Sequence, residues 1–197
     1  MILIVGAMTE ELCNIKSLPN TMIINTGIGK VNAAMKLTEA ISNNNLTAIY
    51  NFGFAGASHH FEVGDVVLVK SAKYHDFDLT FFGYEKGQVP NYPVEFESNK
   101  DLMNQVISKI EHIKTSHLFT GDYFMTEKSD AAYVVDMEGA ALYQVAYYYQ
   151  IPIVSIKVIS DIIGMDKHYE NYKTFESSKG AQIISDIYEK ILKESSK

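Results

Sequence analysis

The feature that most constrains this chain is an alternation of short apolar runs, each broken by glycine or a carboxylate, with segments of helical period. Met1-Ile2-Leu3-Ile4-Val5 is closed by Gly6, Thr21-Met22-Ile23-Ile24-Asn25 by the stretch TGIGK, and Leu46-Thr47-Ala48-Ile49-Tyr50 by NFGFAGA. A further run, Val63 to Val69, follows a turn at Val63-Gly64-Asp65. Others lie near 116–120, at Ala132 to Val135 and at Ile151 to Ile159, where Pro152 sits at the strand start and its missing N–H is tolerated. Between them, Val31, Ala34, Met35, Leu37 and Ile41 recur at helical spacing over 30–43. Further helices are predicted over 99–113, from Gly139 onward, and over 171–194, and Thr9 is placed to cap one starting at Glu10. Strands that are apolar throughout are buried on both faces, and helices between them supply crossovers. The pattern predicts an α/β fold with a largely parallel central sheet, in one domain spanning 1–197. Residues 75–96, HDFDLTFFGYEKGQVPNYPVEF, read as a long aromatic loop.

Several function classes fall away on composition. No run reaches the ~20 apolar residues of a membrane span. The N-terminus meets Glu10-Glu11 without a basic stretch, which argues against a signal peptide. Cys13 is the lone cysteine, so no disulfide framework is expected and a cytoplasmic location is the default. A net charge of −7 without a basic run argues against nucleic acid as a partner. All 17 basic residues are lysine. Without arginine forks, an anionic substrate must be held by lysine or backbone N–H groups.

In doubly wound folds ligands bind at the carboxyl ends of strands. Glu11, TGIGK, NFGFAGA, GDYFM, DMEGA and Ser160-Asp161 all fall at such ends. Each carboxylate has a bland reading: Glu11 and Glu138 as first-turn or capping acids, Asp161 as an N-cap. Read together, three acids at three strand ends suit acid–base work, because burying ionised carboxylates costs several kcal/mol unless they are paired. The glycines of TGIGK and NFGFAGA serve either tight turns or close backbone approach to a ligand, and match no phosphate-loop fingerprint. Phe124, Met125 and Met137 suit either core packing or an apolar slot for a flat ring. His59-His60 and the His75, Asp76, Asp78 cluster lack convincing metal spacing, so no metal is expected.

GAMTEEL, TGIGKVNAA, NFGFAGA, VGDVV, YHDFDLTFFGYEKGQVP, GDYFM, VDMEGAAL and VISD stand here in one order and spacing. Together they closely resemble the 5′-methylthioadenosine/S-adenosylhomocysteine nucleosidases of the purine nucleoside phosphorylase superfamily, nearly end to end. The resemblance implies a three-layer α/β/α domain around a twisted, partly closed mixed sheet, working as a homodimer without cofactor. The implied reaction hydrolyses the N-glycosidic bond of a 5′-thio-substituted adenosine. It also implies roles: Glu11 as general base for water, Asp161 as the acid protonating adenine N7 with Ser160 orienting it, and Glu138 on the ribose hydroxyls. By the same resemblance Met137 packs on the sugar, Phe124 stacks on adenine and the Met125 backbone meets the base edge. Met8, Ile28, Ala55 and Gly56 line the site, and Phe82 and Pro90 cover the 5′-alkylthio group in the neighbouring subunit. The chain departs from that family in carrying Phe54 where a serine is usual and Lys157 where an arginine is usual. It is also shorter between Ile15 and Thr21 and between GDYFM and VVDMEG. Because the superfamily includes phosphorylases, a phosphorylase is one alternative, and Phe54 and the shortened segments keep a non-catalytic or altered-specificity nucleoside binder as another.

Overall fold

The computed structural model describes residues 1–126, 130–165, 175 and 179–193. In chain order the elements are β1 (Ile2–Gly6), α1 (Thr9–Leu12), β2 (Thr21–Asn25), α2 (Lys30–Asn43), β3 (Ala48–Ala57) and β4 (Val66–Tyr74). A single 3₁₀ turn at Thr80–Phe82 interrupts the long loop before β5 (Phe96–Glu97) and α3 (Lys100–Lys109). Then follow β6 (Lys114–Thr120), β7 (Tyr133–Asp136), α4 (Gly139–Tyr149), β8 (Ile153–Ile162) and α5 (Gly180–Leu192). The part of the predicted last helix before residue 179, Phe175 apart, and beyond residue 193 lies outside the described residues.

All eight strands join one mixed sheet that partly closes on itself. β3 pairs with β8, β8 with β4, β4 with β6, β6 with β7, and β7 returns to β3, while β1 and β2 extend from the N-terminal half of β3. The β3–β7, β4–β5 and β4–β8 pairings are antiparallel and the others parallel. Every residue of β8 is buried, because β3 and β4 flank it along both edges and helices cover its faces. A ring of this kind turns successive strand ends toward a common centre, which is what brings distant carboxylates together.

The predicted strands β1 and β2 and the helix 30–43 stand as expected; four expectations change. NFGFAGA does not end its strand: β3 runs through it to Ala57. Ser160-Asp161 likewise lies inside β8, so Asp161 is not an N-cap. Thr9 is the first residue of α1 and Met8 occupies the cap position, with the Glu11 side chain accepting from the Met8 amide. Finally, α2 buries Ala33, Leu37 and Ala40 against α4, leaving Val31 and Met35 exposed. Small alanines let that face approach Ala140 and Ala141 closely, and close packing outweighs the larger side chains one notch around the helix.

Candidate active site

A cavity of about 290 Å³ opens where the ends of β1, β3, β7 and β8 converge. Its lining includes Glu11, Glu138 and Asp161 together with Met8, Ile28, Ala55, Gly56, Phe124, Met125, Met137 and Ser160. Thus eleven of the thirteen residues singled out from sequence lie around one space. Phe82 and Pro90 do not reach it within this chain, and the Phe82 ring is largely exposed. Ala7, Tyr123, Val135 and Asp136 also line it and were not assigned to the site from sequence.

Glu11 is buried, and its carboxylate is gripped by three backbone amides. Oε2 accepts from Ala7 N at 2.7 Å and Met8 N at 2.8 Å, and Oε1 accepts from Phe54 N at 2.8 Å. Burial raises its pKa, and the Lys157 ammonium and these amides act against that rise. Glycine is required beneath it: a Cβ on Gly53 would come to 2.7 Å from Glu11 Oε1. The same holds on the other side of β3, where a Cβ on Gly56 would come to 2.9 Å from Asp161 Oδ2. The glycines of NFGFAGA therefore make room for the protein's own carboxylates.

Asp161 is held by a local irregularity. The β3–β8 register passes from Ala55↔Ile159 to Gly56↔Asp161, so Ser160 is the extra residue of a bulge. Without the bulge, neighbours on a strand would face opposite sides; with it, Ser160 and Asp161 both line the cavity. The Ser160 hydroxyl lies 2.5 Å from Asp161 Oδ1 and 3.2 Å from the Ala55 carbonyl.

Glu138 stands just before α4, where Oε1 accepts from Gly29 N at 2.8 Å. Burial, and then the negative charge of Asp136, push its pKa up to about 8. Asp136, two residues before the N-cap Glu138, reaches the first turn of α4: Oδ1 accepts from Gly139 N at 3.0 Å and from the Thr120 hydroxyl at 2.6 Å. Its Oδ2 pairs with Lys157 Nζ at 2.9 Å, both side chains being at most 3% exposed. Burial acts to lower the Lys157 pKa, but Asp136, Glu11 and Glu138 together outweigh it and hold the ammonium above the ordinary lysine value. Nothing in the spacing of Asp136 and Lys157 along the chain signals that they meet.

Phe54 does not fill the cavity. Its ring forms a wall, packed edge-on against Phe175 with centroids 5.6 Å apart and lying over Gly180, where a Cβ would meet it at 2.4 Å. At the rim, Lys30 Nζ bridges Asp76 at 2.5 Å and Asp122 at 3.5 Å, while Asp122 N donates to Asp76 at 2.8 Å. This ties the TGIGK loop to the loop carrying Phe124. Of the HDFD cluster, Asp76 serves that clamp, Asp78 accepts from Thr80 N at 2.9 Å, and the His75 ring packs edge-on against Tyr123 at 4.8 Å. These side chains go to separate partners, and among the described residues no three His, Cys, Asp or Glu side chains gather for a metal.

Three buried carboxylates around a largely apolar slot, on a partly closed mixed sheet, are an arrangement suited to enzyme chemistry. The family model described as phosphorylase superfamily matches residues 18–193, and the chain belongs to that superfamily. A 5′-methylthioadenosine/S-adenosylhomocysteine nucleosidase of Bacillus cytotoxicus is 38% identical over 162 residues, covering 75% of this chain and 70% of the relative. Within the superfamily the chain thus belongs to that nucleosidase family. A Borrelia burgdorferi protein described as a candidate nucleosidase of this type, solved with adenine bound, is 31% identical. It superposes with a TM-score of 0.85 over 97% of this chain and 98% of its own. The Streptococcus pneumoniae nucleosidase, solved with the transition-state inhibitor MT-ImmA, is 26% identical. Its TM-score is 0.84, over 97% of this chain and 99% of its own.

Proposed function

We propose that this protein hydrolyses the N-glycosidic bond of 5′-methylthioadenosine, S-adenosylhomocysteine or both, releasing adenine and the 5-thioribose sugar. The observation that carries the reading is the meeting of Glu11, Glu138 and Asp161 around one cavity with Phe124 and Met125. Adenine leaves poorly until N7 is protonated, and Asp161, oriented by Ser160, supplies that proton as the C1′–N9 bond breaks. Glu11 takes a proton from water, whose oxygen bonds to the C1′ carbon as oxocarbenium character develops. The neutral leaving group and the sugar hydroxyl account for the water consumed. Glu138 grips the ribose hydroxyls, Met137 packs on the sugar, Phe124 stacks on the base and the Met125 backbone meets its edge, while Met8, Ile28, Ala55 and Gly56 shape the slot. Water is the only co-reactant, so no cofactor enters.

Hydrolysis is favoured over phosphorolysis because no lysine stands among the described residues lining the cavity, and Lys157 is already paired with Asp136. Phosphorolysis needs a cationic anion site. We further infer a cytoplasmic homodimer, in which Phe82 and Pro90 of one subunit cover the 5′-alkylthio group bound by the other. Val31, Met35, Phe82 and Tyr148 are exposed, and Val31 and Tyr148 line one groove between α2 and α4; apolar side chains of this size on a surface support a partner there. No helix among the described residues is long and apolar enough to cross a membrane.

The test is incubation with 5′-methylthioadenosine, with and without phosphate, following adenine and the sugar. Free adenine and 5-methylthioribose at equal rates in both conditions are expected. A sugar 1-phosphate formed only with phosphate would reverse the choice, and binding without adenine release would leave a non-catalytic protein.

A further inference from the structure

Among the described residues, three carboxylates share the buried heart of this cleft with one ammonium. Glu11 approaches from α1, Asp136 from the end of β7 and Glu138 from the start of α4, and Lys157 rises from the middle of β8. Tyr143 of α4 also feels the Lys157 charge, and Asp161 stands four residues farther along the same strand. Fully ionised, the three acids exceed that one cation, and burial disfavours the surplus charge. Their hydrogen bonds rank them. Glu11 has three amide donors. Asp136 has the ammonium, a hydroxyl and the α4 amides. Glu138 has the Gly29 amide. The point where a Gly53 Cβ would stand is 2.7 Å from Glu11 Oε1 and 3.2 Å from Lys157 Nζ, so these two groups face one another across the bare backbone of β3.

We propose that Lys157 is a positioning residue: paired with Asp136, it decides which of these three carboxylates carry charge, holding Glu11 ionised and leaving Glu138 as the one of the three that keeps a proton in the free enzyme. Burial raises both carboxyls, Glu138 to about 8, and at Glu11 the Lys157 ammonium and three amides oppose the rise where Glu138 has one amide and the ammonium. The lysine acts through the acids; it stands behind them and does not line the cavity. A protonated Glu138 offers an O–H donor as well as an acceptor, which suits a vicinal diol presenting one hydroxyl of each kind. This inference rests on the roles proposed for Glu11 and Glu138.

The experiment compares the pH dependence of kcat/KM for 5′-methylthioadenosine in the wild type, Lys157→Met, Lys157→Arg and Asp136→Asn. The acidic limb reports the ionisation of Glu11. Removing the cation moves that limb upward by roughly one pH unit or more, since an opposite charge within ~4–6 Å lowers a carboxyl pKa by that order. Lys157→Arg keeps the charge and leaves the limb within about half a unit. Asp136→Asn removes a like charge while keeping an acceptor for the α4 amides, and moves the limb downward. A lysine that only filled space would give slower variants with an unmoved limb, and that result overturns the proposal. A readout without turnover separates it from the proposed reaction. At neutral pH the wild type shows a protonated-carboxyl infrared band that Glu138→Gln removes, and Lys157→Met gains a second that Glu11→Gln removes. If the wild type releases no adenine but the bands behave so, the reaction is wrong and the charge order stands. If the bands are absent or unchanged, the charge order is wrong whatever the activity.

Discussion

Glu138 and Asp161 show how one fold treats two acids differently. Glu138 is buried with one amide donor beside Asp136, and its carboxyl is pushed up to about 8. An acid whose folded pKa exceeds its unfolded value near 4.3 binds more protons in the folded state between the two. Its stabilising contribution is complete below the unfolded value and is lost as pH rises through about 8. Melting temperature measured between pH 5 and 9 should therefore fall more steeply with pH in the wild type than in Glu138→Gln. Parallel curves would show that Glu138 does not titrate there. For Asp161 the expectation is kinetic. Replacing a general acid by its amide costs about 10²–10⁴-fold in rate, so Asp161→Asn should lose at least about a hundredfold in kcat while adenine still binds within a few-fold. Ordinary turnover by that variant would remove it as the acid.

Among the elements, β3 and β8 carry the site. Their mutual pairing sets Gly53 under Glu11 and Gly56 under Asp161, with the bulge at Ser160 between. A methyl on Gly56 would meet Asp161 Oδ2 at 2.9 Å and Val135 Cγ2 at 3.1 Å, contacts that require the acid to shift. Gly56→Ala should lower kcat at least about tenfold, an ångström-scale misplacement being worth up to ~10²-fold, with cooperative unfolding retained. Unchanged kcat would mean that Asp161 need not sit where it does. The ends of these same two strands were the least legible part of the sequence. Glycine and Ser-Asp ordinarily punctuate strands, so NFGFAGA and Ser160-Asp161 read as turn and cap. In a partly closed sheet they continue the strand, because the inner surface needs small residues beside carboxylates. The strands whose ends carry ordinary signals, β1 and β2, and the starts of α2 and α4 were readable directly.

At the scale of the whole molecule, motif order was enough to name the residues that gather around the cavity, but not the charge system behind it. The Lys157–Asp136 pair joins residues on strands that are not neighbours, β8 and β7, and only the closure of the sheet brings them together. The exposed face of α2 was likewise hidden, since Val31 and Met35 keep the period of a buried stripe while facing outward. That face belongs to the proposed subunit contact. Sedimentation of the wild type should give a dimer and Val31→Glu a monomer with raised KM for 5′-methylthioadenosine; a wild-type monomer with full activity would refute the shared site. The central claim, that three distant carboxyls serve one purine-linked sugar, is tested most directly by a crystal structure with adenine bound. The ring should stack on Phe124 with N7 within hydrogen-bond reach of Asp161, and Glu11 and Glu138 should flank the space beside N9. Adenine bound elsewhere, or seated with N7 turned away from Asp161, would contradict the account.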